Sequence, residues 1–428
     1  MADHESFKVR RRKTRQKAST RKKTAKTVES ASQTKRNTGR IKHLWFRLAA
    51  LVLAALVVLL IAVNWDNVSP ANIGDWLSDV FSTSGDGYPV ETDGSSIATM
   101  KEVNHSLVLL TDTSLTMLNR NGGEKHRFAL NYSESLLRAA GKYTLVAELG
   151  GTRYTVYSRS KEALKVTADN VSDDEEKTEV LDDPLKNRII SADIREDGMV
   201  ALVTEASQSH TTEVRVYSLK GKKILQLKNA TLMAMDVALS PDRQTMAITG
   251  VQTKNGKLQS VVRVYDLSNA DKPLLEKVID DTMLFSISYF SNGNVFAVGD
   301  TSCVTINLSN EKAEAFDFSD RELIAMDMDG SNCALALRDL GQMDGGELVF
   351  LSSNGKVQKS RSFSGEFRDM AMKSKDVYLL TEGRLCTVTA ADGVGEGIEV
   401  PRDSRMIASF NSQVIVAGLT QLSAYTPQ

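Results

Sequence analysis

Cysteine and proline are both scarce in this sequence, and their scarcity excludes whole classes of protein. Three cysteines among 428 residues are too few for the framework of a disulfide-stapled scaffold. Seven prolines, together with a hydrophobic fraction of 41%, exclude a collagen-like chain and a wholly disordered one. The sequence therefore has to bury a core of its own.

Acidic residues are nearly absent from the first 47 positions. That stretch holds 16 Lys and Arg against three Asp and Glu, a charge of +13, and the remainder carries −14. The formal net charge of −1 thus averages a basic arm and an acidic body. Residues 8–26 contain eleven basic side chains and no acidic one, a composition that predicts disorder. Anionic lipid is one expected partner, and the alternatives are a specific partner or a tail that only fixes topology.

Polar side chains are missing altogether from Leu48–Val63. The 20 residues of Leu44–Val63 would form a helix of about 30 Å, which is long enough to cross a bilayer. Trp45 and Trp65 flank the apolar stretch and Arg47 stands at its start, positions that suit the membrane interfaces. The long basic region before it, and the lack of a small-x-small site after it, favour an uncleaved anchor over a signal peptide.

Charge asymmetry predicts the orientation of this anchor. Basic residues concentrate before the transmembrane helix, so residues 1–43 form a cytoplasmic tail under the positive-inside rule. Residues 64–87 then form a juxtamembrane segment, and residues 88–428 form an extracytoplasmic domain. The prediction is a single-pass protein of the cell membrane, with the lipid bilayer as its first partner.

The juxtamembrane segment has the pattern of a short amphipathic helix. Ser69 is placed as an N-cap and Pro70 as the first helical residue. The helix packs under the body or lies on the outer leaflet, and its acidic polar face argues against strong binding to anionic lipid. Its apolar stripe consists of Ile73, Trp76, Leu77, Val80 and Phe81.

One apolar strand recurs eight times in the body, at spacings of 37 to 55 residues. Turn signals such as Asn-Gly and Asp-Gly separate further short strands, giving three to four strands per unit. This period predicts an all-β fold, a β-propeller, in which blades stack until the ring closes, and we interpret the recurrent runs as its inner strands. Residues near 88–91 (YPVE) can supply the strand that the last unit lacks, which favours eight blades, with seven as the alternative. The recurrent strands are centred on Val108, Leu145, Val200, Met246, Phe296, Ala334, Tyr378 and Ile415.

Two resemblances accompany this interpretation. The segment Ser240-Pro241-Asp242, followed by 246–248 (MAI) and 264–267 (VYDL), resembles the repeat unit of tryptophan–aspartate-repeat and TolB-like propellers. The layout of basic tail, single helix, Ser-Pro…Trp-Leu helix and propeller is similar to that of a clostridial (Firmicutes) membrane protein family of unknown function. The second resemblance implies a bacterial cell-surface protein and supplies no catalytic residues.

Motifs for catalysis, metal or cofactor binding are not evident. No two of the five histidines have metal-ligand spacing, and no Gly-x-Ser-x-Gly elbow occurs. Asp169–Asp183 holds eight carboxylates, and Asp327–Gly330 begins a calcium-loop pattern without completing it, so both are interpreted as loops. Buried small hydrophobes in separate blades are expected at Cys303, Cys333 and Cys386.

Three functional hypotheses follow. The first is a non-enzymatic binding or scaffolding module whose loops dock a protein or cell-envelope partner. The second is a bitopic sensor that uses the basic tail. The third is an envelope enzyme acting on glycan or peptide in the propeller channel, which requires carboxylates or histidines there from several blades. No nucleic acid is expected as a partner, because no aromatic residue is interleaved with the basic ones for stacking.

Overall fold

Each of the eight recurrent apolar strands lies in its own antiparallel sheet. The protein was analysed as a computed structural model that describes residues 85–92, 94–159, 161–166, 186–206 and 210–427, all within one unit, Asp75–Gln428. The described residues form eight sheets of a β-propeller, which confirms the predicted all-β fold and the eight blades. The predicted transmembrane helix and residues 64–84 of the predicted juxtamembrane segment lie outside the described residues.

Blades 1 to 4 are regular four-stranded meanders. Blade 1 contains β2 (Ile97–Val103), β3 (Ser106–Thr111), β4 (Ser114–Leu118) and β5 (Glu124–Ala129). Blade 2 contains β6 (Ser135–Ala140), β7 (Tyr143–Glu148), β8 (Tyr154–Ser158) and β9 (Lys161–Val166). Blade 3 contains β10 (Ile189–Ile194), β11 (Val200–Glu205), β12 (Thr212–Tyr217) and β13 (Lys223–Asn229). Blade 4 contains β14 (Met233–Leu239), β15 (Thr245–Lys254), β16 (Lys257–Asp266) and β17 (Leu275–Ile279).

Blades 5 to 7 continue this pattern, except that the outer strand of blade 7 is split into two short pieces that both pair with β28. Blade 5 contains β18 (Leu284–Tyr289), β19 (Val295–Gly299), β20 (Ser302–Ile306) and β21 (Ala313–Asp317). Blade 6 contains β22 (Arg321–Met328), β23 (Asn332–Asp339), β24 (Gly346–Ser352) and β25 (Val357–Phe363). Blade 7 contains β26 (Phe367–Lys373), β27 (Asp376–Thr381), β28 (Arg384–Thr389), β29 (Gly393–Val394) and β30 (Ile398–Glu399).

Blade 8 closes the ring with strands from both ends of the described chain. Its first three strands are β31 (Met406–Phe410), β32 (Gln413–Ala417) and β33 (Gln421–Tyr425), and its outermost strand is β1 (Val90–Glu91). Val90 pairs with Leu422, and the backbone N–H of Thr92 donates to the carbonyl of Thr420 at 2.8 Å. The predicted closure through residues 88–91 is therefore confirmed.

The recurrent apolar strands are the second strands of their blades and not the innermost ones. First strands of neighbouring blades contact one another around the axis, as β10, β14 and β18 do. Second strands are buried on both faces, so that every residue of β3 and β19 is buried. Both faces of such a strand contact neighbouring blades, which is why its sequence is a continuous apolar run rather than an alternating one. The sequence pattern alone could not tell a second strand from a first.

The core is divided into clusters that each occupy a junction between two adjacent blades. Blades 3 and 4 meet through Val203, Val214 and Ile248, among others, and blades 5 and 6 through Phe296 and Leu335. The clusters of the described residues account for all eight junctions. A single blade therefore has no core of its own, and stability depends on its neighbours.

The two faces of the ring follow from the meander. Turns that join first to second and third to fourth strands lie on one face of the ring. We term it the entry face because the described chain joins the ring there: the backbone N–H of Gly87 donates to the carbonyl of Asn121, in the turn between β4 and β5. Turns that join second to third strands, together with the connections between blades, lie on the opposite face, termed the far face. The described residues that flank the acidic segment, at the end of β9 and before β10, thus lie on the far face.

Candidate functional site: the central channel and the far face

A central channel is lined by the first strands of the blades. On the entry-face side it forms a cavity of about 750 Å³, whose wall includes Arg138, Asp193 and Arg195. A second cavity of about 390 Å³ is lined by strands of blades 1, 6, 7 and 8. Lys101 and Asp327 line both cavities. The channel is therefore a large concave site lined by first strands of the ring.

A β-bulge at the same place in six of the eight first strands shapes this wall. The register shifts in β2, β10, β14, β18, β22 and β26, always between one of the first three residues and the one two places further on. A bulge adds one unpaired residue and bends the strand. The residue that follows it is polar in five of the six strands, namely Thr99, Ser191, Asp236, Ser286 and Asp369.

Four aspartates of the first strands each accept a hydrogen bond from a backbone N–H of the next blade. We term Asp193, Asp236, Asp327 and Asp369 the inter-blade carboxylates. A buried backbone donor without a partner is costly, so these contacts fix how neighbouring first strands are aligned. The donors are Leu239 N at 2.8 Å, Ile287 N at 2.9 Å, Met372 N at 2.7 Å and Ile407 N at 2.8 Å, respectively.

Desolvation raises the pKa of three of these carboxyl groups. It brings the pKa of Asp193 and of Asp369 to about 6, and raises that of Asp327 above its usual range. The backbone donors act in the opposite direction, as do the charges of Arg138 on Asp193 and of Lys101 on Asp327. Burial is the larger effect, because the carboxylate loses its water in the narrow channel.

The last junction of the ring uses a glutamate instead. Glu102 of blade 1 accepts the backbone N–H of Asn411 in blade 8 at 3.2 Å. Lys373 of blade 7 lies 3.7 Å from the same carboxylate and also donates to the Asn411 carbonyl. Three blades are thus connected at the point where the ring closes.

Methionine dominates the apolar wall of the smaller cavity. Its thioether side chains are unbranched and polarisable, so they fit apolar surfaces of varied shape. Several of them also pack into the clusters between blades, which places them at the boundary of core and channel. They are Met100, Met326, Met328, Met370, Met372 and Met406.

The carboxylates of the channel wall take part in contacts between blades. Asp193, Asp327 and Asp369, from three blades, do reach the wall, as the enzyme hypothesis requires, and each accepts a hydrogen bond from a backbone N–H of the neighbouring blade. The histidines of the described residues lie apart, with His105 in a turn of blade 1, His126 stacked at 6.2 Å on Phe128, and His210 in a far-face loop. No cluster of three potential metal-ligating His, Cys, Asp or Glu residues occurs among the residues with described positions.

The other residues singled out by sequence fall into structural roles. Cys303, Cys333 and Cys386 belong to three separate blades, the first two buried and the third half-buried. Asp329 does not begin a calcium loop, since its carboxylate accepts the backbone N–H groups of Ser331 and Asn332 in a tight turn.

The predicted membrane-contacting residues lie outside the described part of the chain. Where the structure does describe residues, no helix could span a bilayer. The predictions that stand untested for this reason concern Trp45, Arg47 and Trp65 at the interfaces and Ile73, Trp76, Leu77, Val80 and Phe81 in the juxtamembrane helix.

The two faces of the ring differ in charge and in how far their hairpins project. Among the described residues of the far-face loops, ten are acidic and five basic, whereas the entry-face turns hold eight acidic and eleven basic residues. The far face also carries the longest hairpin, in which β15 and β16 are joined by Asn255 and Gly256. Both residues have positive φ, 53° and 75°, as a two-residue hairpin turn of this kind requires. The far face is therefore the more acidic and the more uneven of the two.

Comparison with known proteins places the chain among propellers. The C-terminal WD40 domain of Sif2 is 10% identical and covers 79% of this chain and 98% of its own, with a TM-score of 0.52. BamB from Moraxella catarrhalis is 8% identical over 79% of this chain and 100% of its own, with a TM-score of 0.48. AztD from Citrobacter koseri is 10% identical over 72% and 86%, also with a TM-score of 0.48. The likeness to the Sif2 domain supports the fold alone.

No curated protein matches the chain. A family model does match, over residues 86–396, from just before β1 to the break in the outer strand of blade 7. This span is well over half of the sequence. The chain therefore belongs to DUF5711, a family of unknown function.

Proposed function

We propose that this chain is a membrane-anchored, extracytoplasmic β-propeller that acts as a non-enzymatic binding or scaffolding module at a bacterial cell surface. Its apolar segment Leu44–Val63 serves as the single anchor, with residues 1–43 in the cytoplasm. The similarity of its layout to clostridial (Firmicutes) membrane proteins supports the bacterial surface. The basic tail attracts anionic lipid on the inner leaflet.

The observation that carries this proposal is where the chain enters the ring. Gly85 to Gly87 lie against the turn of Asn121 and Gly123, so the chain joins the ring on the entry face. The far face, on the opposite side of the ring, is acidic and uneven, and its loops are available to a partner.

Affinity capture tests the binding role. The full chain, solubilised from the envelope after crosslinking, is purified and its co-purifying protein and glycan are both identified. A discrete protein partner, crosslinked through far-face residues, is the expected result. Glycan without protein would instead indicate wall binding, and the absence of both from repeated preparations would contradict a scaffolding role.

One observation favours an envelope enzyme as the second candidate. The pKa of Asp193 and of Asp369 is raised to about 6, and titration near neutral pH is common among catalytic carboxyl groups. In this candidate, one carboxyl group would act as acid or base on glycan or peptide in the channel. Loss of hydrolysis of cell-wall fragments in Asp193→Asn and Asp369→Asn variants that fold normally would support it, and wild-type protein inert toward both substrates would contradict it.

A further inference from the structure

An uncovered apolar surface lies on the far face between blades 4 and 5. The second strand of blade 4, β15, continues to Lys254, whereas its counterpart β19 in blade 5 ends at Gly299. Aligned on the recurrent apolar positions Met246 and Phe296, β15 extends five residues further, about 17 Å of strand. Beyond Ser260, the side of the hairpin that faces blade 5 therefore extends past the second strand of that blade.

Four large exposed apolar side chains belong to the hairpin and to the segments bonded to it, and we term them the apolar shelf. Met233 pairs with Val251 of β15. Met283 and Phe285 flank Leu284, whose backbone N–H is bonded to Ser260 of β16. Leu258 stands on the hairpin and is 63% exposed, on the same side of β16 as Ser260, which contacts blade 5. The Ser260 hydroxyl donates to Thr282 O at 2.7 Å and accepts from Leu284 N at 2.9 Å, which fixes the hairpin against the start of β18. The shelf consists of Leu258, Met233, Met283 and Phe285, each more than 40% exposed.

Carboxylates border the foot of the shelf. Asp280, Asp281 and Asp300 are all exposed in the two loops that adjoin Met283. Asp300 accepts the backbone N–H of Met283 at 2.8 Å, and Asp280 accepts from the Gln259 amide at 3.0 Å, so both are held next to the apolar side chains. Lys254 and Lys257 are confined to the tip of the hairpin. The foot thus combines apolar contact area with negative charge.

We infer that the apolar shelf is a docking site for a cationic amphipathic segment of a partner protein. Exposed apolar side chains bordered by charged ones mark interaction surfaces, and the carboxylates at the foot, within an acidic far face, select a positively charged partner. The apolar side chains of the segment would cover Leu258 and Phe285, and its Lys or Arg residues would pair with Asp280 and Asp281. This inference deepens the proposed binding function, on which it rests for the identity of the partner as a protein.

A peptide titration tests the inference on the full chain in a neutral maltoside detergent, with micelles alone as the blank. The probes are fluorescent 16-residue peptides of alternating Leu-Lys, Leu-Glu and Ser-Lys, followed by fluorescence anisotropy. We expect the Leu-Lys peptide to bind. The Leu258→Ser variant should weaken its affinity about tenfold, because apolar burial is lost. The Asp280→Asn, Asp281→Asn double variant should also weaken the affinity and should reduce its dependence on salt concentration.

Leu274 provides a matched control. It belongs to the same blade and is 59% exposed, but it adjoins an entry-face turn, so Leu274→Ser should leave peptide affinity unchanged. Unchanged melting temperatures show that the variants fold. Equal binding of the Leu-Glu peptide, or equal losses in Leu258→Ser and Leu274→Ser, would overturn the inference. Self-association of the chain that Leu258→Ser abolishes would also overturn it, by making the occupant a second copy.

This outcome is separable from that of the proposed function. A topology experiment that located the body in the cytoplasm would refute the surface role without altering peptide affinity. Conversely, an extracytoplasmic body that bound no Leu-Lys peptide would refute the docking site and leave the anchored module intact.

Discussion

Asp327 in blade 6 accepts a 2.7 Å hydrogen bond from the backbone N–H of Met372 in blade 7. Its other oxygen accepts the N–H of Met328, in its own strand, at 2.9 Å. One side chain thus satisfies backbone donors of two adjacent first strands. Since the blades share no hydrogen-bonded sheet, such contacts supplement apolar packing in setting the alignment of one blade on the next.

Removing this carboxyl group should weaken the junction between blades 6 and 7. Asp327→Ala leaves the Met372 N–H without its acceptor and is expected to cost about 1–3 kcal/mol of unfolding free energy. Asp327→Asn keeps an oxygen acceptor and should cost less. Thermal unfolding of the full chain measures both. Asp320→Ala is the control, because the Asp320 side chain is 89% exposed, and equal losses in all three variants would contradict the assigned role.

Stability should rise on mild acidification because of Asp193 and Asp369. Their pKa of about 6 in the folded state exceeds the value of about 3.9 expected in the unfolded chain. Protonation therefore favours the folded state, and this stabilisation is complete below pH about 3.9 and is lost as the pH rises through about 6.

Each of the two carboxyl groups should contribute about 2 kcal/mol across this range, offset in the full protein by other groups that titrate oppositely. The comparison of wild type with the Asp193→Asn, Asp369→Asn double variant isolates the effect. We expect the stability of the variant relative to wild type to be higher at pH 7.5 than at pH 4.5, because only the wild-type carboxyl groups lose their protons over this range. Parallel melting-temperature curves for the two proteins would refute the raised pKa values.

The opposite dependence is expected for Glu148 on the far face. Arg153 donates two hydrogen bonds to its carboxylate, at 2.6 and 2.7 Å, and lowers its pKa. This contribution is present above the unfolded pKa and is lost as the pH falls through the folded one. Arg153→Ala should cost about 2–3 kcal/mol, because it leaves a largely buried carboxylate unpaired.

Arg127→Ala serves as the comparison for that measurement. Arg127 pairs with Glu124 at 2.9 Å, but both side chains are 45% exposed. Exposed pairs contribute little, so its loss should change the unfolding free energy by less than about 0.5 kcal/mol. A larger effect for Arg127→Ala than for Arg153→Ala in urea titrations would contradict this ranking.

Ring closure through β1 should protect the edge of blade 8. Val90 packs into the cluster between blades 8 and 1 and pairs with Leu422. Val90→Asp is expected to cost about 1–3 kcal/mol through burial of an unpaired charge. Hydrogen exchange at Leu422 and its neighbours in β33 should accelerate in this variant and not in Glu91→Gln, where the side chain is exposed. Unchanged exchange in both would show that β1 is dispensable.

The sequence revealed the blades well because their second strands are chemically uniform. Burial on both faces makes runs such as 295–299 (VFAVG) continuous and apolar, and their period then indicates a ring. The closure of the ring could be predicted for a related reason. The last unit lacks one strand, and residues 88–91 have the pattern of a short strand that can supply it. Both features follow from the local composition of the strands and from the number of strands in each unit.

The contacts between blades in the channel could not be predicted from the sequence in the same way. Asp236 and Asp369 follow bulges in first strands, and nothing in their immediate sequence distinguishes an inter-blade acceptor from an exposed turn residue. Asp327 stands at the start of an incomplete calcium-loop pattern in the sequence, whereas its hydrogen-bond partner Met372 lies 45 residues further on. The apolar shelf cannot be predicted from the sequence either, because it depends on the difference in length between the hairpins of two blades.

Cysteine labelling in intact cells is the most direct test of the proposed surface module. In a Cys386→Ser background, Thr253→Cys places an accessible thiol on the far-face hairpin, and Ser30→Cys places one in the basic tail. A membrane-impermeant maleimide should modify the hairpin cysteine in intact cells, and the tail cysteine only after lysis. Labelling of the tail and protection of the hairpin would contradict an extracytoplasmic propeller.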